Sequence, residues 1–398
     1  MTTVAELLDA MNEAGIRYVH WKSNKNIDQA LAGREDLDLL VHPKDRELLE
    51  TVLGEAKVLR VYSKKDAWQP HIFHYIGMDA GGRALVHAHI HYALTVGFDY
   101  CKNYVLPICS AFLHGATRYS HVMLPEPEKE YYVLVLRLLL KNGLVPFLVA
   151  HPRMQLHIIR RGSRAIIGSG AHAEYEDLRR RIDRERLHSI ITSEFVLVTP
   201  TLFAECEDLI ENGGTFGRML KVAWSVERAL AKYSVHSQIG FGVLSFLRLN
   251  GDRLSRAYAK LSGKPGGKRL ADGRMIAFVG GDGAGKSTNV AALSKTVSRQ
   301  LAVKTFHVGR PGSSLSGNVL KAGKLLCRVL GLSTIATGLG HVALALDRKA
   351  EFARADRLRQ KGGVAVLDRM PLPNIRSMDA PRIPQMRADG WIITTLER

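Results

Sequence analysis

Apolar residues from Val4 to Ala14 recur at helical spacing and stop at Gly15, after which Ile16 to Trp21 reads as a strand. A polar stretch from Lys22 to Gly33 leads to Arg34-Glu35-Asp36-Leu37-Asp38-Leu39-Leu40-Val41, a predicted strand whose alternation sets Asp36 and Asp38 on one face. Leu85 to Tyr92 alternates in the same way and sets His87, His89 and His91 on one face. From Pro125 the pattern turns helical. Glu130 to Lys141 is apolar almost all round, so the helix it predicts must be buried among others. Further helices are expected over residues 174–191, 201–211 and 216–233 and from Phe241 to Leu261.

Ser262-Gly263-Lys264-Pro265-Gly266-Gly267-Lys268 holds neither period and predicts a flexible linker. Beyond it, Met275 to Val279 predicts a buried strand, Val290, Leu293 and Val297 a helix, and Val303 to Val308 a second strand. Helices over residues 315–331 and about 337–360 precede Val364 to Leu367, a third buried strand that ends on Asp368-Arg369. The expected architecture is multidomain α/β: an α+β front over residues 1–125, a helical domain over 126–261, a linker over 262–273, and a parallel sheet with flanking helices over 274–398.

Composition narrows this picture little. At 398 residues, 46% hydrophobic and 24% charged, the chain has room for two or three ordinary cores. No apolar run reaches membrane-spanning length and Met-Thr-Thr-Val-Ala-Glu lacks a signal-peptide layout, which predicts a cytoplasmic protein. Cys101, Cys109, Cys206 and Cys327 are scattered, without metal or disulfide spacing, and read as reduced thiols. The net charge of +18 is uneven: Lys+Arg against Asp+Glu is 14 to 17 over residues 1–130, 22 to 13 over 131–272 and 20 to 8 over 273–398. A basic later part fits nucleotide phosphates and leaves a peripheral anionic membrane surface open as a partner, whereas no nucleic-acid motif is present.

The chemistry concentrates in Gly280-Gly281-Asp282-Gly283-Ala284-Gly285-Lys286-Ser287-Thr288, which fits G-x-x-x-x-G-K-[ST] between a predicted strand and a predicted helix. Glycines let backbone N–H groups turn inward around an anion, and the helix N-terminus adds partial positive charge. Lys286 is placed to reach the β- and γ-phosphates of ATP, and the Ser287 hydroxyl to hold Mg²⁺. Ligands of parallel sheets bind beyond the carboxyl ends of the strands, so Asp368 and Arg369 are expected beside this loop.

At the front, Asp36-Leu37-Asp38 on a strand resembles the active-site element of nucleotidyltransferase-like folds over roughly residues 15–120. The resemblance implies carboxylates holding the metal that carries a triphosphate. Trp21-Lys22-Ser23-Asn24 stands where that family has Gly-Ser or Gly-Gly, and the histidine strand stands where a third acid is sought. With Asp36 and Asp38, His87, His89 and His91 are candidate ligands for a transition metal, because neutral imidazole suits Zn, Fe, Ni or Mn better than Mg²⁺. Phosphate binding and a polar, half-exposed sheet face are the other readings of the same residues.

Gly280 to Thr288, Asp347-Arg348 in the helix before the third strand, and Asp368-Arg369 at its end together resemble thymidylate kinases. That resemblance implies ATP- and Mg²⁺-dependent phosphorylation of a nucleoside monophosphate, with Asp282 contacting the acceptor's sugar and Arg348 and Arg369 holding its phosphate. Lys286, Arg348, Asp368 and Arg369 are then the catalytic set. Asp368-Arg369-Met370-Pro371-Leu372-Pro373 departs from the family's Asp-Arg-Tyr, and residues 370–398 are fewer than its lid-bearing end needs, so a truncated or divergent domain is expected. The whole layout resembles fused proteins of bacterial surface-polysaccharide gene clusters, which implies an association with polysaccharide assembly. Three functions stand open: a phosphotransferase acting on a nucleotide or other phosphorylated acceptor, a nucleotidyltransferase using Asp36 and Asp38 with the phosphate loop regulatory, and a non-catalytic ATP-binding switch or assembly subunit.

Overall fold

A computed structural model describes residues 3–63, 66–69, 71–78, 85–150, 152–162, 169–262, 265–281, 283–309, 311–312 and 314–370. The chain is mixed α/β and divides into two compact units, Met1–Lys260 and Leu261–Arg398. The N-terminal unit opens with α1 (Val4–Glu13), β1 (Tyr18–His20), α2 (Ile27–Leu31), β2 (Leu37–Val41), α3 (Arg46–Glu55), β3 (Leu59–Tyr62), β4 (Ile72–Met78) and β5 (Leu85–His91). Within it the strands run β1-β2-β5-β4-β3, with β2 and β5 parallel and the other pairs antiparallel.

Helix α1 begins where Thr3 and Glu6 form a reciprocal capping box. Its buried stripe, Val4, Leu7, Leu8 and Met11, joins Leu49, Val52 and Leu53 of α3 in covering one face of the sheet through Leu37, Leu39, Val41, Val86, Ala88 and Ile90. Strand alternation therefore turns Asp38, Leu40, His87, His89 and His91 to the opposite face. The polar stretch Lys22–Gly33 is more ordered than its composition suggests, because Ile27 and Ala30 of α2 find a place in this core.

The unit continues through the hairpin β6 (Leu94–Phe98) and β7 (Cys101–Leu106), α4 (Cys109–Leu113), and the hairpin β8 (Thr117–Tyr119) and β9 (Val122–Leu124). Then come α5 (Pro127–Lys141), α6 (Leu144–Val149), α7 (Pro152–Arg161), α8 (Ser169–Arg181), α9 (Arg184–Ser189), α10 (Pro200–Glu211), α11 (Phe216–Ala229) and α12 (Gln238–Ser262). The expected helix over 174–191 breaks at Ile182-Asp183, where Asp183 accepts a hydrogen bond from the Glu185 amide and starts α9. Of residues 126–261, expected as a separate helical domain, all up to Lys260 belong to the same unit as the sheet. The reason is α5. Its residues Tyr131 to Leu136 pack in one cluster with Val19, Trp21 and Leu40 of the sheet, Leu94, Val96 and Tyr104 of the hairpin, and Phe203, Leu209, Val222 and Val226 of α10 and α11.

The second unit contains β10 (Arg269–Leu270), β11 (Arg274–Phe278), α13 (Lys286–Val297), β12 (Val303–His307), α14 (Leu315–Val329), α15 (Ser333–Gln360) and β13 (Val364–Asp368). Its three-stranded sheet is parallel in the order β11-β13-β12. The central strand β13 is buried from Val364 to Leu367, as its apolar run predicts. Strand β11, also expected to be buried, is exposed or half-exposed along its length, because among the described residues it pairs with β13 on one side only. The chain after Met370 lies outside the described residues. Among those described, no helix is long and apolar enough to cross a membrane.

Glu227 of α11 is 2% exposed, its Oε1 makes no hydrogen bond among the described residues, and burial raises its pKa to about 7. Between the ordinary carboxylate range and pH 7 the folded state therefore holds a proton that the unfolded chain releases, so stability falls as pH rises through that window. Replacing Glu227 by Gln removes the loss. Urea unfolding of both proteins should show the variant gaining on the parent by roughly 2–3 kcal/mol between pH 5 and pH 8; a constant difference across that range contradicts the assignment.

Candidate functional site

In the second unit β11 runs through Val279 into the glycine loop, and α13 starts at Lys286. Gly280, Gly283 and Gly285 have φ of 154°, 80° and 74°, backbone that side chains rarely adopt, and Gly285 is the residue from which the helix departs. Lys286 is buried, its ammonium folded over the loop and donating to the carbonyls of Gly280 at 3.0 Å and Gly281 at 2.5 Å. Ser287 and Thr288 are exposed in the first turn of α13, as are Gly283 and Ala284 in the loop. Asp282 lies outside the described residues.

Sheet register places the strand-end acid. Asp368 of β13 stands opposite Phe278 of β11 and His307 of β12, so it occupies the carboxyl end of the middle strand, two residues of β11 short of Gly280. Its Oδ1 is buried and makes no hydrogen bond among the described residues. Arg369 has φ 63° and donates its amide to the Phe278 carbonyl at 3.1 Å, which fastens the turn to the strand that feeds the loop. Arg348 of α15 is buried, and its guanidinium donates to the Gly309 carbonyl just past the end of β12. Asp347, beside it, is fully buried and structural. It accepts from the Ser314 amide and hydroxyl at 2.6 Å each and from Lys321 at 2.7 Å, which anchors the start of α14. Burial alone raises the Asp347 pKa, but the Lys321 and Ser314 bonds outweigh it and hold it below the usual range.

The first unit holds a separate cluster. Asp36 precedes β2, and Asp38 stands opposite His89 in the parallel pairing of β2 and β5. Asp36 bonds His87 Nδ1 at 2.8 Å, and Asp38 bonds His89 Nδ1 at 3.1 Å and pairs with Lys22 at 2.8 Å. Burial would raise both acids. For Asp36 the His87 bond and the charge of His87 and His89 outweigh it, and for Asp38 the His89, His91 and Lys22 interactions do, so both are held low and Asp38 well below the usual range. Strand β4 adds a residue that the sequence pattern did not single out: His74, opposite His89, stacks on His87 and meets His89 edge-on. The β-branched and aromatic run Ile72-Phe73-His74-Tyr75-Ile76 carries a strand signal, which the sequence analysis does not use.

His91, expected beside His87 and His89, is 1% exposed and sits edge-on to Trp21 at 5.1 Å, where burial lowers its pKa to about 3 and keeps it neutral. Cationic side chains gather on the same side: Lys22 and Arg137 over the Trp21 ring, and Lys102, whose pKa falls to about 7 through burial and then the charges of Lys22 and Arg137. A pocket of about 400 Å³ adjoins the acids, lined by His20, Ser23, Asn26, Arg34, Asp36 and Asp38 among others.

The role of Asp347 is directly testable. Asp347→Ala removes the carboxylate that accepts from the Ser314 amide and hydroxyl and should cost about 1–3 kcal/mol of stability in the second unit. Hydrogen exchange should then quicken at the amides of Ser314 and Gly317; unchanged protection there contradicts an anchoring role. Compared with known proteins, the chain matches no family model, no curated protein and no solved structure.

Proposed function

We propose that the second unit binds ATP with Mg²⁺ at Gly280–Thr288 and transfers the terminal phosphoryl group to a phosphorylated acceptor of the nucleoside-monophosphate type. The observation that carries this reading is the alignment of three elements at one end of a parallel sheet: the glycine loop with its left-handed backbone, Lys286 folded over that loop, and Asp368 on the adjacent strand end. Phosphoryl transfer asks little covalent chemistry of a protein. It asks that two polyanions be held in line and that charge on the transferring group be offset.

The residues fit those demands. Backbone N–H groups of the loop and the N-terminus of α13 supply an anion cradle, and Lys286 is the mobile cation that exchanges loop carbonyls for phosphate oxygens. Ser287 and Asp368 are oxygen donors suited to Mg²⁺, and the buried Asp368 Oδ1, which accepts no hydrogen bond among the described residues, suits the water of a hydrated cation. When bound, Mg²⁺ draws charge from the phosphate oxygens. Arg369, past the end of β13, and Arg348 of α15, whose guanidinium reaches Gly309 past the end of β12, carry planar forks of donors suited to the acceptor phosphate. On this reading the resemblance to thymidylate kinases names the first acceptor to try, thymidylate.

ADP and pyrophosphate release should be followed for the full chain with ATP, Mg²⁺ and a panel of nucleoside monophosphates. The expected result is acceptor-dependent ADP release, reduced by about 10²–10³-fold or more in Lys286→Ala. Pyrophosphate as the product, or ADP release indifferent to Lys286, overturns the proposal.

A further inference from the structure

The face of the first sheet that carries Asp36 and Asp38 gathers three imidazoles from two adjacent strands, and this arrangement is independent of the phosphate loop. His74 of β4 and His89 of β5 are register partners, and His87 lies two residues from His89 on the same face. Their ring centroids are 4.2 Å apart for His87 and His89, 4.5 Å for His74 and His89, and 5.6 Å for His74 and His87. Each ring offers a nitrogen, and these nitrogens lie within 4.8 Å of one another. From this geometry we infer that His74, His87 and His89 bind a divalent transition-metal ion of the zinc class, with Asp36 and Asp38 as carboxylate partners of the histidines.

The distances suit such an ion. Nitrogen binds zinc at about 2.0–2.1 Å, which sets the centroid of each ring about 3 Å from the metal and three tetrahedrally arranged centroids about 5 Å apart.

The hydrogen bonds also suit it. An ionised carboxylate only accepts, so Asp36 and Asp38 make Nδ1 the donor on His87 and His89 and leave the lone pair on Nε2. This is the carboxylate–histidine pairing that orients metal ligands and raises their basicity. His89 Nε2 is buried and makes no hydrogen bond among the described residues, and it lies 3.7 Å from Asp36 Oδ2. Asp36, more exposed than the imidazoles, is thereby placed either to complete the coordination or to support it.

Softness selects the metal. Three imidazoles favour Zn²⁺ or a neighbouring first-row ion over Mg²⁺, which prefers an octahedron of oxygens. His91 is not a member of the set: its ring sits edge-on to Trp21, 3.7 Å from Asp38 Oδ1. Lys22, paired to Asp38, offsets one carboxylate charge, which leaves Asp36 as the carboxylate that balances the dication beside the neutral imidazoles.

The test uses the full chain without a histidine tag, stripped with a chelator and titrated with Zn²⁺ against a chromogenic chelator. One tightly bound equivalent is expected. His74→Ala and His89→Ala should each weaken it by at least about 100-fold and Asp36→Asn by about 10–100-fold, while His188→Ala, on the exposed side of α9, leaves it unchanged. X-ray absorption of the zinc-loaded parent needs no variant to fold, and should report nitrogen neighbours at about 2.0–2.1 Å. A folded parent that takes up no stoichiometric Zn²⁺, uptake that survives loss of both His74 and His89, or a shell dominated by sulfur overturns the inference. None of these outcomes depends on whether the second unit hydrolyses or transfers phosphate.

Discussion

Helix α5 has no face to offer water, and the first unit is organised by that constraint. Twelve of its residues, including the charged Glu128, Lys129 and Glu130, are buried. Each large apolar side chain removed from water contributes about 1.5–3 kcal/mol, so the helix is stable only when surrounded. The sheet supplies one wall through Val19, Trp21 and Leu40, and the later helices supply the others. Its buried charges are met individually. Lys129, with no exposed side-chain surface, donates to the His114 carbonyl at 2.7 Å and pairs with Glu126 at 2.8 Å, and Arg186 spans Glu126 and Glu194 beside it. Removing one partner of such a group strands a charge, which is why the sequence keeps four ionisable residues there.

The same helix shapes the front cluster from behind. Arg137 of α5 lies over the Trp21 ring, and the buried Glu130 accepts from the amide of Asn24, which in turn bonds His20. Burial raises the Glu130 pKa to about 7, so near neutrality this carboxyl titrates beside a pocket already lined by His20 and Asp38. The polar face of the sheet is therefore a partly buried one, where acids, imidazoles and lysines hold one another's charge states. Perturbed groups gather at functional sites and in structural ion-pair networks alike.

In the second unit the organising constraint is local. A parallel strand that must give way at once to a helix leaves backbone N–H groups at the junction, and glycines at φ of 154°, 80° and 74° let them converge. The edge strand β11 stays exposed on one side among the described residues, whereas β13, between two neighbours, is buried. The candidate groups follow the sheet's polarity: loop, Asp368 and Gly309 with its Arg348 all stand at carboxyl ends.

What the sequence determined by itself is local and periodic. The glycine loop, the all-round apolar α5, the helices α10 to α12, α14 and α15, and the placing of Asp36 with Asp38 and of His87 with His89 follow from spacing that a helix or strand imposes on its own residues. The extent of burial on β11, the break between α8 and α9, and the joining of sheet and helices in one core do not follow, because each depends on which element packs against which. His74 is the clearest case. Its own neighbours mark it as nothing more than one polar residue in an apolar and aromatic run, and only the antiparallel pairing of β4 with β5 sets it opposite His89 and apart from His91. Alternation fixes the face on which a side chain lies; register between strands, a property of the folded chain alone, decides which side chain from another strand meets it there.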